Sequence, residues 1–280
     1  MQRESLPFLG IGIGLRPVHY QDIFKMHPVP IDWFEIISEN FLINQGVVLQ
    51  NLEWILEHYP VVQHGVSLSI GSQEPLDFDY LKKLKALARK TKTPWLSDHL
   101  CWGHLEGAHY HDLLPLPYTQ EVIDYVAERA RIVQDFLEVP FALENVSSYT
   151  SFTIDQMPEW EFYAAVVEKA DILMMLDVNN IYVSSRNHGF DPKDYYMQVP
   201  LERVIQIHLA GHADYGTYCL DTHDKPVREE VWQIYADVIA KTGPVSTLLE
   251  WDDDFISLEE TMKHALLAKQ FQGELRAAPS

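Results

Sequence analysis

The chain has 280 residues, of which 47% are hydrophobic and 12% aromatic, so a packed core is expected and a disordered chain is excluded. Its 41 acidic and 21 basic residues give a formal charge of -20, which argues against nucleic acid or an anionic membrane as a partner. There are only two cysteines and no apolar run typical of a membrane span or secretion signal, so a reducing, cytoplasmic compartment is expected.

Short apolar runs alternate along the chain with longer segments whose apolar residues recur every three or four positions. This alternation is typical of repeated strand–helix units. The predicted strands cover 8–15, 33–38, 61–70, 95–102, 141–146, 172–178, 204–210 and 246–251. The predicted helices cover 19–27, 46–59, 77–91, 118–137, 158–170, 191–199, 228–242 and 256–272. Asp77 is expected to cap the third helix, and Ser257 with Glu260 resembles a capping box for the last.

Eight such units in about 250 residues predict a parallel (β/α)8 TIM barrel. An open, doubly wound sheet is the alternative fold. No linker or low-complexity segment divides the chain, so residues 1–272 are predicted to form a single domain. Residues 273–280 are predicted to be a loose C-terminal tail.

Most of the predicted strands carry an acid or a histidine in their C-terminal half, where a buried strand should be apolar. These residues are His64, Asp98, His99, Glu144, Asp177, His208 and Glu250. The C-terminal ends of barrel strands converge over the barrel axis, so the side chains should meet there. Clustered carboxylates with few basic residues nearby favour bound cations. Mixed histidine and carboxylate ligands suit iron, zinc or manganese.

Two weaker patterns lie near the seventh strand. His208 and His212 form an H-x-x-x-H motif, and Asp221 and His223 form a D-x-H motif in the following loop. A buried histidine is also often a core hydrogen-bonding residue, and an acid at a strand end often caps a helix. Whether Asp98 ligates a metal therefore stays open.

Some residues have competing interpretations. Asn180 is either a turn former or an amide-oxygen ligand, and Arg16 is a candidate anion clamp over the site. Glycines at positions 10, 12 and 14 match part of a dinucleotide-binding fingerprint, but no clear helix follows them. The histidines at 104, 109 and 111 lie in a loop after the fourth strand, where contact with solvent or substrate is expected.

Several segments together resemble one family, the multinuclear non-haem iron-dependent oxidases. They are FEIISENFL (34–42), SDHL (97–100), HDLLPLPYT from His111, LENVSSY from Leu143, LDVNN from Leu176, and IHLAGH followed by D-x-H. The resemblance spans Gly10 to Glu250 in unchanged order. It implies a xylose isomerase-like barrel, two or three iron ions, and O2 as co-substrate. It also implies modification of cysteine in a ribosomally made precursor peptide, together with a separate peptide-recognition protein.

The resemblance also implies roles for individual residues. One iron would be held by His64, His99 and Glu144, and a second by Glu144, Asp177, His208 and Glu250, with Glu144 bridging the two. A third would be held by His212, Asp221 and His223, with Asn180 as a further candidate ligand. Catalytic roles are expected for Glu144, Arg16 and His111, the last two in orienting the peptide.

The same layout is similar to trinuclear zinc nucleases that act at abasic DNA. Those enzymes are expected to have a histidine at the position of Asn180, which argues against a DNA substrate. A zinc or manganese hydrolase, a sugar isomerase of the same barrel type and a non-catalytic metal-binding protein remain alternatives. The isomerase would need a catalytic lysine at a strand end, and none is evident.

Overall fold

The computed structural model of the chain describes residues 3–42 and 46–277. The strands in these ranges are β1 (Ile11–Gly14), β2 (Trp33–Ile37), β3 (Val61–His64), β4 (Leu96–His99), β5 (Trp102–Leu105), β6 (Ala108–Leu114), β7 (Phe141–Glu144), β8 (Leu173–Asp177), β9 (Val204–Leu209), β10 (Ala213–Asp214), β11 (Cys219–Leu220) and β12 (Ser246–Leu249). The helices are α1 (Tyr20–Met26), α2 (Glu39–Leu42), α3 (Val47–His58), α4 (Phe78–Thr91), α5 (Gln120–Leu137), α6 (Glu159–Ala170), α7 (Val178–His188), α8 (Pro192–Tyr196), α9 (Glu229–Thr242), α10 (Leu258–Leu266) and α11 (Ala268–Ala277).

Eight parallel strands close into a barrel in the order β1-β12-β9-β8-β7-β4-β3-β2. Closure is direct, because β1 pairs with β12 on one side and with β2 on the other. The predicted TIM barrel is therefore confirmed, and the open sheet is excluded. Each barrel strand lies within one of the eight predicted strand segments, and the N-terminal caps predicted at Asp77 and Ser257 are present.

Alternation along the strands separates an apolar floor from a polar mouth. The floor contains Trp33, Val62, Trp95, Ala142, Leu173, Met175, Ile205 and Leu248. Two positions further along four of these strands come Glu35, His64, Glu144 and Asp177. Since side chains two positions apart in a strand face the same side, the interior changes from apolar to polar towards the C-terminal ends.

Helix α7 was not predicted from the sequence. The predicted strand before it extended through residue 178, and Asn180 was a possible turn former. In the structure, Asp177 is the N-cap of α7, and its side chain accepts a hydrogen bond from the backbone of Asn180. Gly189, with φ of 76°, ends the helix in the left-handed region. An acid before the helix and a glycine after it were the available signals.

Two small hairpins leave the barrel at its mouth. Strands β5 and β6 pair antiparallel where the sequence analysis predicted a loop, and β10 pairs with β11. Within residues 3–42 and 46–277, no helix is both long enough and apolar enough to span a bilayer.

Helix α11 runs from Ala268 to Ala277 and so extends past the predicted domain boundary at residue 272, while the predicted loose tail at 273–280 stays a prediction. Phe271 stacks on Trp232, with ring centroids 5.4 Å apart, and the Gln272 side chain donates to the Val245 carbonyl. These contacts hold α11 against the barrel. Residues 278–280 of the predicted tail lie outside the described residues, and the assignment of residues 1–272 to one domain stays a prediction.

The carboxyl of Glu159, in the first turn of α6, predicts how the stability of the fold depends on pH. Its carboxyl accepts a 2.8 Å hydrogen bond from the Tyr195 hydroxyl, and burial raises its pKa to about 7. A raised pKa means that ionisation weakens the folded state. The wild type should therefore lose stability relative to Glu159→Gln as pH rises from about 4.5 to about 7, by about 1 to 3 kcal/mol, with no further change above that range. Urea unfolding of both proteins at several pH values measures the difference, and a difference that is constant with pH would contradict the argument.

Candidate metal centre

The first group of predicted ligands comes together at the mouth of the barrel. His64, His99 and Glu144 end three consecutive barrel strands, β3, β4 and β7. The His64 and His99 Nε2 atoms are 3.3 Å apart, and Glu144 Oε2 lies 3.4 Å from the first and 3.3 Å from the second. Metal–ligand bonds of about 2.0 to 2.2 Å place ligands of one ion at roughly these separations. The triangle therefore fits a single cation.

Glu144 also belongs to the second group. Its Oε1 atom lies 3.2 Å from His208 Nδ1, which in turn lies 3.2 Å from Glu250 Oε2. With Asp177, these residues offer ligand atoms that all lie within 4.8 Å of one another. One oxygen of Glu144 thus faces each group, which is the arrangement that a bridging carboxylate between two ions requires.

Hydrogen bonds behind the ligands fix their orientation. His64 Nδ1 lies 2.9 Å from the Ser97 hydroxyl, so its other nitrogen faces the group. The Asn145 side chain makes two hydrogen bonds of 2.9 Å with the backbone of Asp177, one as donor and one as acceptor. Such supporting bonds hold metal ligands in place before an ion binds.

The third group differs from the sequence prediction. The structure brings together His223, Glu250 and Asp252, whose ligand atoms lie within 4.8 Å of one another. Asp221 Oδ1 lies 2.8 Å from His223 Nε2, so the two residues of the D-x-H motif are neighbours. Among the described residues, none of the groups of three such atoms includes His212 or Asp221.

His212 is fully buried and is joined to Asp221 through an intervening amide. Its Nδ1 atom lies 2.7 Å from Asn179 Oδ1, and the Asn179 amide donates to Asp221 Oδ1 at 2.7 Å. This amide occupies the space between the two predicted ligands. Asn180 lines the cavity above the centre. Ligation by His212, Asp221 and Asn180 stays a prediction.

Polar atoms that lack a hydrogen-bond partner among the described residues converge at this centre. They are Glu144 Oε2, Asp177 Oδ2, Asn180 Oδ1 and His208 Nδ1. Leaving one buried polar atom unpaired costs about 1 to 3 kcal/mol, so a cluster of them needs a compensating interaction. Imidazole nitrogen and carboxylate oxygen together suit iron, zinc or manganese. The residues present therefore fit a multinuclear transition-metal site.

The electrostatics of the cluster agree with this fit. Burial, reinforced by Glu250 and Glu35, raises the pKa of Glu144 to about 7, although His208 acts in the opposite direction. Burial and the charge of Glu144 also raise the pKa of Asp177 well above its usual range. Without a cation, these carboxyls therefore hold protons at a pH where exposed acids are ionised. A bound cation displaces such protons.

A cavity of about 570 Å³ opens above the centre. His104 and His109 of the β5–β6 hairpin line its wall with ring centroids 4.1 Å apart, a position that suits substrate contact. Arg16 is the only lysine or arginine among the described residues that line the cavity, and it forms an ion pair with Asp252. A Cβ atom at Gly14 would lie 2.7 Å from Arg16 Nη1, so the glycine makes room for the guanidinium.

Two other residues singled out in the sequence are His111, a predicted peptide contact, and Asp98, a possible metal ligand. His111 lies on β6, and its side chain lies outside the described part of the chain, so its predicted role stays a prediction. Asp98 is turned to the backbone, because its oxygens accept hydrogen bonds from the His99 and Leu68 amides at 2.8 and 3.2 Å. Asp98 therefore shapes the loop after β3.

The sequence analysis missed Glu35 and Asp252. Glu35 is the acid in the otherwise apolar strand β2, and it lines the cavity. The signal that pointed to the predicted ligands, an acid or a histidine within an apolar strand, was present here as well. Asp252 lies two positions after Glu250, and its Oδ2 atom is 3.2 Å from His223 Nδ1. Its contact with Arg16, 236 positions away in the chain, could not be read from local spacing.

Comparison with known proteins identifies relatives over almost the whole chain. Residues 10–273 match the family described as RiPP precursor modification enzyme MbnB/TglH/ChrH. A UPF0276 protein of Anaeromyxobacter sp. (strain Fw109-5) is 48% identical over 270 residues, covering 96% of this chain and 95% of the relative. A UPF0276 protein of Caulobacter vibrioides (strain NA1000 / CB15N) is 44% identical over 263 residues, covering 94% of each chain.

Similar solved structures share the fold at low sequence identity. D-psicose 3-epimerase from Clostridium cellulolyticum H10 has a TM-score of 0.61 and 14% identity, covering 94% of this chain and 98% of its own. A xylose isomerase-like TIM barrel protein from Mycobacterium smegmatis, solved with magnesium, has a TM-score of 0.61 and 12% identity, covering 99% and 100%. Endonuclease IV from Thermus thermophilus has a TM-score of 0.58 and 13% identity, covering 96% and 100%. The barrel is therefore of the xylose isomerase-like type, as the resemblance implied.

Gly211 controls where the D-x-H loop lies. A Cβ atom at this position would lie 1.9 Å from the carbonyl oxygen of Lys225, and the Gly211 carbonyl accepts a hydrogen bond from the His223 amide. The loop that carries His223 therefore packs directly on the glycine backbone.

We expect Gly211→Ala to displace this loop and to lower the free energy of unfolding by about 1 to 3 kcal/mol, because backbone atoms cannot move aside as a side-chain end can. Urea denaturation measures the loss. Gly273→Ala is the control, since no described atom lies within 4 Å of its added methyl group, and it should be neutral or stabilising by up to about 1 kcal/mol. Equal stability of Gly211→Ala and wild type would show that the loop is not held by this contact.

Proposed function

Because the chain belongs to the MbnB/TglH/ChrH family of RiPP precursor modification enzymes, we propose that it oxidises cysteine in a ribosomally made precursor peptide, using two or three iron ions and O2. The family membership supports a role as a peptide-modifying enzyme. Iron, oxygen as the electron acceptor and cysteine as the modified residue are the proposed refinements. We further propose a separate peptide-recognition protein and a cytoplasmic location.

The observation that carries the proposal is the shared carboxylate of Glu144. Its two oxygens face different ligand groups, with His64 and His99 on one side and His208 on the other. A carboxylate between two cations is favoured because each cation offsets its buried charge. In the proposed centre, His64, His99 and Glu144 hold one iron, and Glu144, Asp177, His208 and Glu250 hold the second.

We propose that a third ion is held near His223. The candidate ligands from the sequence are His212, Asp221 and His223, with Asn180, and the structure adds Asp252 as an alternative neighbour of His223. Iron bound in such sites supplies the one-electron chemistry that dioxygen requires. The protein's own contribution is to fix the ligands, to limit water in a partly enclosed cavity and to orient the peptide.

Arg16 is suited to orient a peptide in the cavity. Its guanidinium is nearly buried and is anchored on Asp252 through Nε at 3.0 Å and through Nη2. A guanidinium has five N–H donors, so the ion pair leaves donors for a peptide carbonyl or carboxylate. His111 is the second proposed contact, by its position on β6 of the hairpin at the cavity wall.

The main alternatives use the same ligands for other chemistry. A zinc or manganese hydrolase or a sugar isomerase would also place histidine and carboxylate ligands at the mouth of this barrel. The cavity contains no lysine among its described lining residues, which disfavours the isomerase. The metal identity and the need for oxygen separate a hydrolase from the proposed oxidase.

The test combines metal analysis with oxygen uptake. Protein purified without oxygen should contain iron, and it should consume O2 when given the peptide from a short cysteine-bearing reading frame beside its gene. Replacing that cysteine with serine should abolish the uptake. Glu144→Gln should weaken iron binding by at least about tenfold, because loss of a shared ligand costs at least as much as loss of a supporting contact.

Glu229→Gln, which neutralises an exposed acid in the first turn of α9, is the matched control and should keep its iron. Stoichiometric zinc in the purified protein, with no oxygen uptake by the iron-loaded form, would favour the hydrolase. Full iron content in Glu144→Gln would rule out a bridging role for this carboxylate.

A further inference from the structure

A chain of buried hydrogen bonds runs from the barrel floor to His208. The indole nitrogen of Trp95 donates to Gln206 Oε1 at 2.8 Å, and Gln206 Nε2 donates to Glu35 Oε2 at 2.5 Å. An indole N–H can only donate, so it fixes the orientation of the Gln206 amide, with oxygen towards Trp95 and nitrogen towards Glu35. All three side chains are at most 3% exposed.

His208 lies at the upper end of this chain, and its two ring nitrogens have different surroundings. Nε2 lies 3.3 Å from both oxygens of Glu35. Nδ1 faces Glu144 and Glu250 and has no hydrogen-bond partner among the described residues. Only a ring nitrogen without a proton can bind a metal ion, so the location of the proton decides whether His208 is a ligand.

Two hydrogen-bond arrangements compete at Nε2, because Gln206 Nε2 lies 2.7 Å from it. If Gln206 donates to this nitrogen, the imidazole proton sits on Nδ1 and blocks that atom. If Nε2 keeps the proton, Glu35 is the acceptor within reach and Nδ1 presents a lone pair to the cluster. The 2.7 Å contact as it stands fits the first arrangement. A cation held between Nδ1, Glu144 and Glu250 requires the second, in which Gln206 gives up this contact and Nε2 donates to Glu35.

We propose that Glu35 is a positioning residue that accepts a hydrogen bond from the Nε2–H group of His208 and thereby presents Nδ1 to the second metal ion. This inference rests on the proposed role of His208 as a ligand. Trp95 and Gln206 hold the Glu35 carboxylate in place, and Glu35 itself touches the ligand rather than the ion. A carboxylate behind a metal-bound histidine orients the ring and strengthens the ligand.

The affinity test uses Co²⁺ as the probe, because its absorption spectrum reports the ligands around it. Glu35→Gln keeps the shape of the side chain and removes its charge. We expect Co²⁺ binding at one site to weaken by about 10- to 100-fold, with a changed absorption band for that site. Binding at the site formed by His64 and His99 should remain, because Glu35 contacts His208 and Gln206 rather than either of these histidines.

The proton itself can be located by nitrogen NMR of protein labelled with ¹⁵N-histidine and loaded with Zn²⁺, which is diamagnetic. His208→Gln identifies the His208 signals by their loss. In the wild type, we expect a proton on Nε2 and none on Nδ1. In Glu35→Gln, we expect the Nε2 proton signal to shift or to exchange faster with water.

Two further variants separate positioning from folding. Gln63→Leu removes a buried amide on β3 that contacts Ser38 and Thr91, and it should leave both Co²⁺ affinities unchanged. Trp95→Phe keeps an aromatic ring but removes the indole N–H that orients the Gln206 amide, and it should weaken the same site as Glu35→Gln by a smaller factor. If Glu35→Gln does not fold, Trp95→Phe supplies the test.

The outcomes distinguish the two proposals. A wild type that binds no Co²⁺ would overturn the proposed metal centre and this inference with it. A wild type that binds Co²⁺ at two sites, with unchanged affinities and spectra in Glu35→Gln, would overturn only the role of Glu35. A proton on Nδ1 in the Zn²⁺-loaded wild type would also overturn it.

Discussion

The burial of several carboxylates together is the constraint on which the rest of this structure depends. Glu35, Glu144, Asp177 and Glu250 lie at the top of the barrel interior, and each is at most 7% exposed. Apart from Arg16, which is paired with Asp252, no lysine or arginine among the described residues lines the cavity above them. Charges buried this way need protons or cations to balance them. The imidazole groups among the acids make transition metals the best match.

The barrel produces this arrangement from simple alternation. Parallel strands end at the same height, and every second side chain faces the axis, so acids and histidines far apart in sequence become neighbours. Glu144 lies on β7, between β4 with His99 and β8 with Asp177. Its two oxygens therefore face ligand groups on opposite sides. Trp33 and Trp95 belong to the buried apolar floor below them.

The sequence was enough to predict the barrel and the gathering of the first two groups of candidate ligands. Strand patterning and the convergence of side chains at strand ends determine both. The sequence was not enough where a contact depends on tertiary placement. His212 is joined to Asp221 through Asn179, and Arg16 meets Asp252 across the barrel mouth. Helix α7 was missed because its polar start looked like a turn. Glu35 could have been found by the rule applied to its neighbours.

Asp177 takes part both in capping helix α7 and in the candidate metal centre. One of its oxygens caps α7 through the Asn180 amide at 2.6 Å, while the other faces the ligand cluster without a partner among the described residues. A single carboxylate thus connects the ordering of a helix end to the occupancy of the centre. The charge of this carboxylate is shared between the hydrogen bond that caps α7 and any cation bound at the centre. A substitution at Asp177 would therefore remove both the helix cap and a candidate metal ligand.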